Sequence, residues 1–147
     1  IPYMIKKDVP VSLAVDGSAS NDASNMNLEL KLAYLLHKLI HGIKSITSED
    51  VLSLATNGGR DVLNQPEIGS IEEGKAADLF LIRSDRLGFA GGLSDPVEAL
   101  VNTGTSQEVD YNIVNGNVVV RKGEFTTIKE YNIIKKHNQI AEELLSD

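Results

Sequence analysis

The run Val11-Ser-Leu-Ala-Val-Asp-Gly-Ser-Ala-Ser-Asn-Asp22 constrains the chain most, because strand-forming residues stop on an acid, Asp16, and small polar residues follow. Val11, Leu13 and Val15 alternate with smaller residues and no charge interrupts them, the pattern of a short strand covered on both faces. In parallel α/β folds the carboxyl end of a strand is where ligands and metals collect, since loops converge there over a rigid sheet. A carboxylate at that point is a candidate metal ligand or proton carrier. Asp16-Gly17 is also a sufficient turn signal in its own right, and the residues alone leave both readings open.

The rest of the chain alternates in texture. Leu28, Leu32, Leu35, Leu36, Leu39 and Ile43 share one arc at helical spacing, with Gly42 near the end. Thr47 and Asp50 have capping-box spacing ahead of Val51, Leu52, Leu54 and Ala55, and Gly58-Gly59 interrupts or bends that helix while permitting close packing. Residues 79–84, Leu-Phe-Leu-Ile-Arg-Ser, read as a strand. Phe89 to Gly92 reads as a loop or flexible connector before a short helix with Asp95 as cap, Pro96 at its first position and Gly104 as stop. Residues 109–125 form a hairpin turning at Asn115-Gly116, and Thr127 and Glu130 are spaced as a second capping box before a last helix.

Composition excludes several functions. With 147 residues, 41% of them hydrophobic, the chain can build one ordinary core. A net charge of -7, with basic residues concentrated only at Lys135-Lys136-His137, makes nucleic acid and anionic membranes poor partners. No apolar run approaches the roughly 18 residues of a membrane span. Cysteine is absent, which removes thiolate metal sites and fits a cytoplasmic protein best. The opening residues, Ile-Pro-Tyr-Met-Ile-Lys-Lys-Asp, read as the tail of something that started earlier, so we expect a fragment.

Four segments carry a resemblance: 11–22, "VSLAVDGSASND"; 69–82, "GSIEEGKAADLFLI"; 89–101, "FAGGLSDPVEALV"; and 109–125, "VDYNIVNGNVVVRKGEF". Together they resemble the carboxyl-terminal landmarks of the amidohydrolase superfamily, in the branch of 8-oxoguanine deaminase, hydroxyatrazine-type aminohydrolases and chlorohydrolase-like enzymes. The resemblance runs over essentially the whole chain. It implies an α/β fold, the end of a metal-dependent (β/α)8 barrel plus the carboxyl-terminal strands of a small composite β-sandwich. Residues 1–66 would be the last barrel strand and its helices, 67–127 the sandwich part with an inserted helix, and 128–147 a terminal helix. The implied activity is hydrolytic deamination or dechlorination of an N-heterocyclic ring of purine, pyrimidine or triazine type, by metal-activated water. The metal is zinc, with iron as the alternative, and Asp16 would be both metal ligand and proton acceptor. Ser18 and Asn21, with Ser20, are candidates to contact substrate or the groups around Asp16.

The family's His-x-His, its later histidines and its acid/base glutamate have no match in this sequence. One carboxylate does not hold a catalytic metal, so this chain alone is expected to bind none and to be inactive. His37 and His41 have the i, i+4 spacing of a helical metal pair, but lie opposite the leucine arc and lack the H-E-x-x-H glutamate, which favours a solvated or partner-facing surface. His137 is expected on the surface. The barrel strand and the arc at Leu32, Leu35 and Leu39 would lack neighbours, so partners are expected: the remaining part of the same polypeptide or a second copy. The rival readings are a non-catalytic β-rich interaction or structural module and, more weakly, a sugar- or phosphate-binding α/β domain using Asp16-Gly17-Ser18, for which no Gly-rich phosphate loop is present.

Overall fold

The computed structural model describes residues 1–21, 23–104 and 109–146. It begins with a one-turn helix α1 (Pro2–Ile5) and an extended segment, followed by α2 (Met26–His41), α3 (Ser48–Ala55) and α4 (Asn57–Leu63). Strand β1 (Leu79–Leu81), a 3-10 turn (Leu87–Phe89), α5 (Pro96–Thr103), β2 (Tyr111–Val114), β3 (Asn117–Arg121), β4 (Glu124–Phe125) and α6 (Glu130–Leu145) complete the order.

The helices start where side chains can satisfy their open N–H groups. Asn25 caps α2 by accepting from the Asn27 and Leu28 amides. The Thr47 box forms as its spacing requires: Asp50 N–H donates to Thr47 Oγ1 at 3.1 Å, and Thr47 N–H to Asp50 Oδ2 at 2.8 Å. Asp95 accepts from Glu98 N–H at 2.9 Å, ahead of Pro96. The second expected box does not form. Thr126 is tied to β3, its N–H bonded to the Val119 carbonyl at 3.0 Å and its hydroxyl to that of Val118 at 2.9 Å. The chain leaves the sheet only after it, so α6 begins at Glu130 behind Lys129, with no side-chain cap.

Helices α2, α3 and α5 pack into the core, where Leu30, Val51 and Val101 are fully enclosed and Ala33, Tyr34, Ile46 and Leu54 complete the cluster. The face of α2 that packs carries Leu30, Ala33 and Tyr34, not the leucine arc. Leu32, Leu35, Leu36 and Leu39 lie on the opposite side and are exposed, Leu39 by 81%. That uncovered arc is what an expectation of missing neighbours requires. The other half of the chain is a four-stranded antiparallel sheet in the order β1-β2-β3-β4. Its β2–β3 turn uses positive φ at both Asn115 (46°) and Gly116 (77°), the requirement of a tight two-residue hairpin. Asp78, within the segment 69–82 that carries part of the resemblance, accepts from the Asn115 N–H at 2.6 Å and so fastens β1's entry to that turn.

Two expectations need correction. Residues 11–15 form no strand, because among the described residues no second strand lies alongside to complete a ladder; the Leu13 N–H bonds instead to the Leu54 carbonyl at the end of α3, at 3.1 Å. Residues 89–92 are no loose connector. Phe89 is buried, and Gly92 sits so close to α5 that a Cβ there would lie 3.1 Å from that of Ala99.

One polar contact crosses the core. The Tyr34 hydroxyl donates to Glu98 Oε1 at 2.7 Å, and Asn102 Nδ2 donates to the same oxygen at 2.9 Å. The Tyr34 bond, more than any other influence, holds the Glu98 carboxyl below its ordinary range, while burial first and Glu98 second push the Tyr34 phenol up. A depressed carboxyl stabilises the fold above its unfolded pKa, about 4.3 for Glu, and that contribution is lost as pH falls through the folded value. A raised phenol acts in the other direction: its contribution is whole below about pH 10 and lost above it. Stability measured by urea denaturation is therefore expected to fall on both sides, and Glu98→Gln to flatten the acid side. Tyr34→Phe, which removes a hydrogen bond to a charged group, should cost about 1.5–3 kcal/mol near neutral pH.

Candidate active-site segment

Asp16 ends the extended segment at φ 63°, in the left-handed region that Asp tolerates better than branched residues do. Its Oδ1 accepts the Gly17 N–H at 2.7 Å. That bond first, and the Ser20 hydroxyl second, hold the carboxyl below the usual carboxylate range against a small opposing effect of burial. The side chain is exposed and ionised at neutral pH.

A helical turn follows at once. The Ser20 and Asn21 amides both donate to the Gly17 carbonyl, at 2.9 and 3.0 Å, and the Ser20 hydroxyl donates to the same oxygen at 3.0 Å. The turn and the site are therefore not alternatives in geometry, since the turn is what presents Asp16. Asn21 is engaged locally: its Oδ1 accepts from the Ala23 and Ser24 amides at 3.1 and 3.3 Å, and its Nδ2 donates to Glu29 Oε1 at 2.7 Å. Ser18 Oγ lies 3.5 Å from Ser24 Oγ. Asn21 thus braces the loop onto α2, and Ser18 remains on the same exposed loop as Asp16. Asp22, which closes the sequence motif, lies outside the described residues.

The seat beneath Asp16 was only half legible in sequence. Val11 and Leu13 pack against the helical core. Thr56 breaks the helix between α3 and α4, and the break lets Gly58 press against the extended segment, so close that a Cβ on Gly58 would lie 2.3 Å from the Val11 carbonyl oxygen. The Gly58-Gly59 pair signals close packing, but not what packs there.

Of the three histidines only His37 departs from expectation, His41 being exposed. His37 shares the packed side of α2, so it is half-buried and not solvated; its ring stacks on that of His41 with centroids 5.7 Å apart, and its buried Nδ1 has no hydrogen-bond partner. Burial first, and then the neighbouring His41, lower its pKa and keep it neutral. His137 is exposed on α6. Among the described residues no three His, Asp or Glu side chains converge as a metal cage. Asp16 nevertheless suits one position of a zinc site: it offers a hard, ionised oxygen on an exposed loop. Among the described residues no helix is long and apolar enough to cross a membrane.

Comparison with known proteins bears on this segment directly. The sequence pattern of the amidohydrolase family matches residues 1–119. The chain is 39% identical over 140 residues to the hydroxydechloroatrazine ethylaminohydrolase of Pseudomonas sp. (strain ADP), covering 92% of this chain and 29% of that protein. It is also 39% identical over 137 residues to the 8-oxoguanine deaminase of Pseudomonas aeruginosa, covering 93% and 30%. Among solved structures, the atrazine chlorohydrolase of Arthrobacter aurescens TC1 complexed with zinc superposes with a TM-score of 0.85 at 30% identity, over 94% of this chain and 31% of that one. An adenosine deaminase from Xanthomonas campestris with bound zinc gives a TM-score of 0.92 at 23% identity, over 99% and 34%, which speaks to the fold alone. This chain spans about a third of the length of these proteins. On the family pattern and these identities together, the chain belongs to the amidohydrolase family, alongside aminohydrolases, deaminases and triazine hydrolases.

Proposed function

We propose that these residues are the carboxyl-terminal part of a zinc-dependent hydrolase that removes an amino or chloro substituent from an N-heterocyclic ring. In this reading residues 11–15 are the last strand of a (β/α)8 barrel and β1 to β4 belong to its β-sandwich. The observation that carries it is Asp16 itself: an exposed, ionised carboxylate at the end of an apolar segment that is seated on the helices behind it. The relatives named above, which act on atrazine derivatives and 8-oxoguanine, support a flat nitrogen heterocycle as the substrate class.

The chemistry follows from what Asp16 can do. Zinc, when bound, supplies a water of lowered pKa near neutral pH. Asp16 would hold the ion through one carboxylate oxygen and would take a proton from the attacking water as the C–O bond forms at the ring carbon that bears the leaving group. The proton then passes to the departing amine, the C–N bond breaks as ammonia or an amine leaves, and the remaining hydroxyl proton moves to the adjacent ring nitrogen so that the ring keeps the oxygen as a carbonyl. With a chloro substituent the leaving group is chloride, and the proton passes to solvent. The Asp16 carboxyl is ionised at neutral pH, as accepting a proton requires. The Gly17 N–H on Oδ1 fixes the plane of the carboxylate. Asn21 is braced against α2 and Ser18 is exposed, where it can meet substrate.

In the complete protein Asp16→Asn keeps the shape but cannot carry the proton. Turnover of an aminated ring substrate is expected to fall by roughly 10²- to 10⁴-fold, the contribution of a positioned acid–base group, with an unchanged circular dichroism spectrum. Near-normal turnover by this variant would contradict the assignment.

A further inference from the structure

We propose that Gly58 is a positioning residue for Asp16: the absence of a side chain at this one place on α4 sets the depth at which residues 11–13 seat, and through them the position of the carboxylate. The inference rests on the proposed role of Asp16 and extends it to a residue that touches neither metal nor substrate.

Gly58 is buried, and its backbone is not in the left-handed region, so its conformation does not demand glycine. Space does. An ideal Cβ at residue 58 would lie 2.3 Å from the Val11 carbonyl oxygen and 3.3 Å from both the Val11 carbonyl carbon and the Ser12 Cα. All three atoms are backbone, so no side-chain rotation relieves the overlap and the extended segment itself would have to move. Helix propensity points the other way, since alanine is the better residue inside a helix. Gly59 provides the contrast: its nearest neighbour for an added Cβ is the Ser12 hydroxyl at 3.8 Å, ordinary contact distance.

The segment that would move is short and taut. The Leu13 N–H is bonded to the Leu54 carbonyl at 3.1 Å, Val11 and Leu13 are packed on the core, and Asp16 follows three residues after Leu13. Only two residues separate Leu13 from Asp16, with no loop between seat and carboxylate to absorb a displacement. Relieving the overlap takes a shift on the order of 1 Å, and a misplacement of that size is enough to cost about 100-fold in catalysis.

The test uses the complete protein with Gly58→Ala, Gly59→Ala and Asp16→Asn, reading kcat and KM separately and, independently of activity, the retention of zinc against a competing chelator. Gly58→Ala is expected to lower kcat by 10- to 100-fold with a smaller change in KM and to lose zinc faster, while Gly59→Ala matches the parent in both. Leu13→Ala, which loosens the same seat without a clash, is expected to shed zinc faster as well and serves if Gly58→Ala does not fold. Wild-type zinc retention and kcat in a folded Gly58→Ala, or wild-type zinc retention in Leu13→Ala, would overturn the positioning role while an inactive Asp16→Asn leaves the reading of Asp16 intact. Full activity in Asp16→Asn would instead remove the reading on which the positioning role rests.

Discussion

The backbone hydrogen bond from Leu13 to the Leu54 carbonyl, with the glycine-sized gap beside it, is the contact that ties the two chemically different parts of this chain together. On one side is a helical core that owes its stability to buried apolar side chains. On the other is a polar loop that buries almost nothing and presents an ionised acid. A loop of that kind has no means of holding a carboxylate in place by its own contacts. It inherits its position from the seat, in which Val11 and Leu13 share the core with Leu30, Val51 and Val101.

The distribution of apolar surface follows from the same arrangement. Helix α2 is apolar on two sides, and only the side of Leu30, Ala33 and Tyr34 is covered. Leu36, Leu39, Ile40 and Ile43 are exposed by 50%, 81%, 67% and 76%. Each such side chain forgoes roughly 1.5–3 kcal/mol of burial, so four of them rival the whole net stability of a typical domain, about 5–15 kcal/mol. Helix α6 has no buried residue at all. An amidohydrolase that spans about three times this length has further elements with which to cover such surfaces, which is how the uncovered arc and the proposed barrel end fit one account.

Sequence reveals those features whose cause is local. The Thr47–Asp50 box, the Asp95 cap with Pro96, and the Asn115-Gly116 turn each satisfy a backbone requirement within a few residues, so spacing alone locates them. The Thr127–Glu130 spacing is as good, yet fails because a distant contact, Thr126 with β3, delays the helix. Which side of α2 faces inward could not be read from hydrophobicity, since the leucine-rich side is the uncovered one. Residues 11–15 have the composition of a strand, but a ladder needs a neighbour, and composition does not supply one. The exposed position of Asp16 at the end of the apolar run was legible because an abrupt acid after such a run is a local signal. The seat beneath it was not, because the Gly58–Val11 approach joins residues 47 positions apart.

We propose that Asp16 is a metal ligand aimed by the segment behind it. Anomalous diffraction at the zinc edge, from crystals of the complete protein, tests this directly. The account predicts a zinc ion with an Asp16 carboxylate oxygen at roughly 2.0–2.2 Å, the ordinary zinc–carboxylate distance, and residues 11–15 paired as a strand. A fully occupied zinc site whose ligands exclude Asp16, with that side chain turned to solvent, would contradict it.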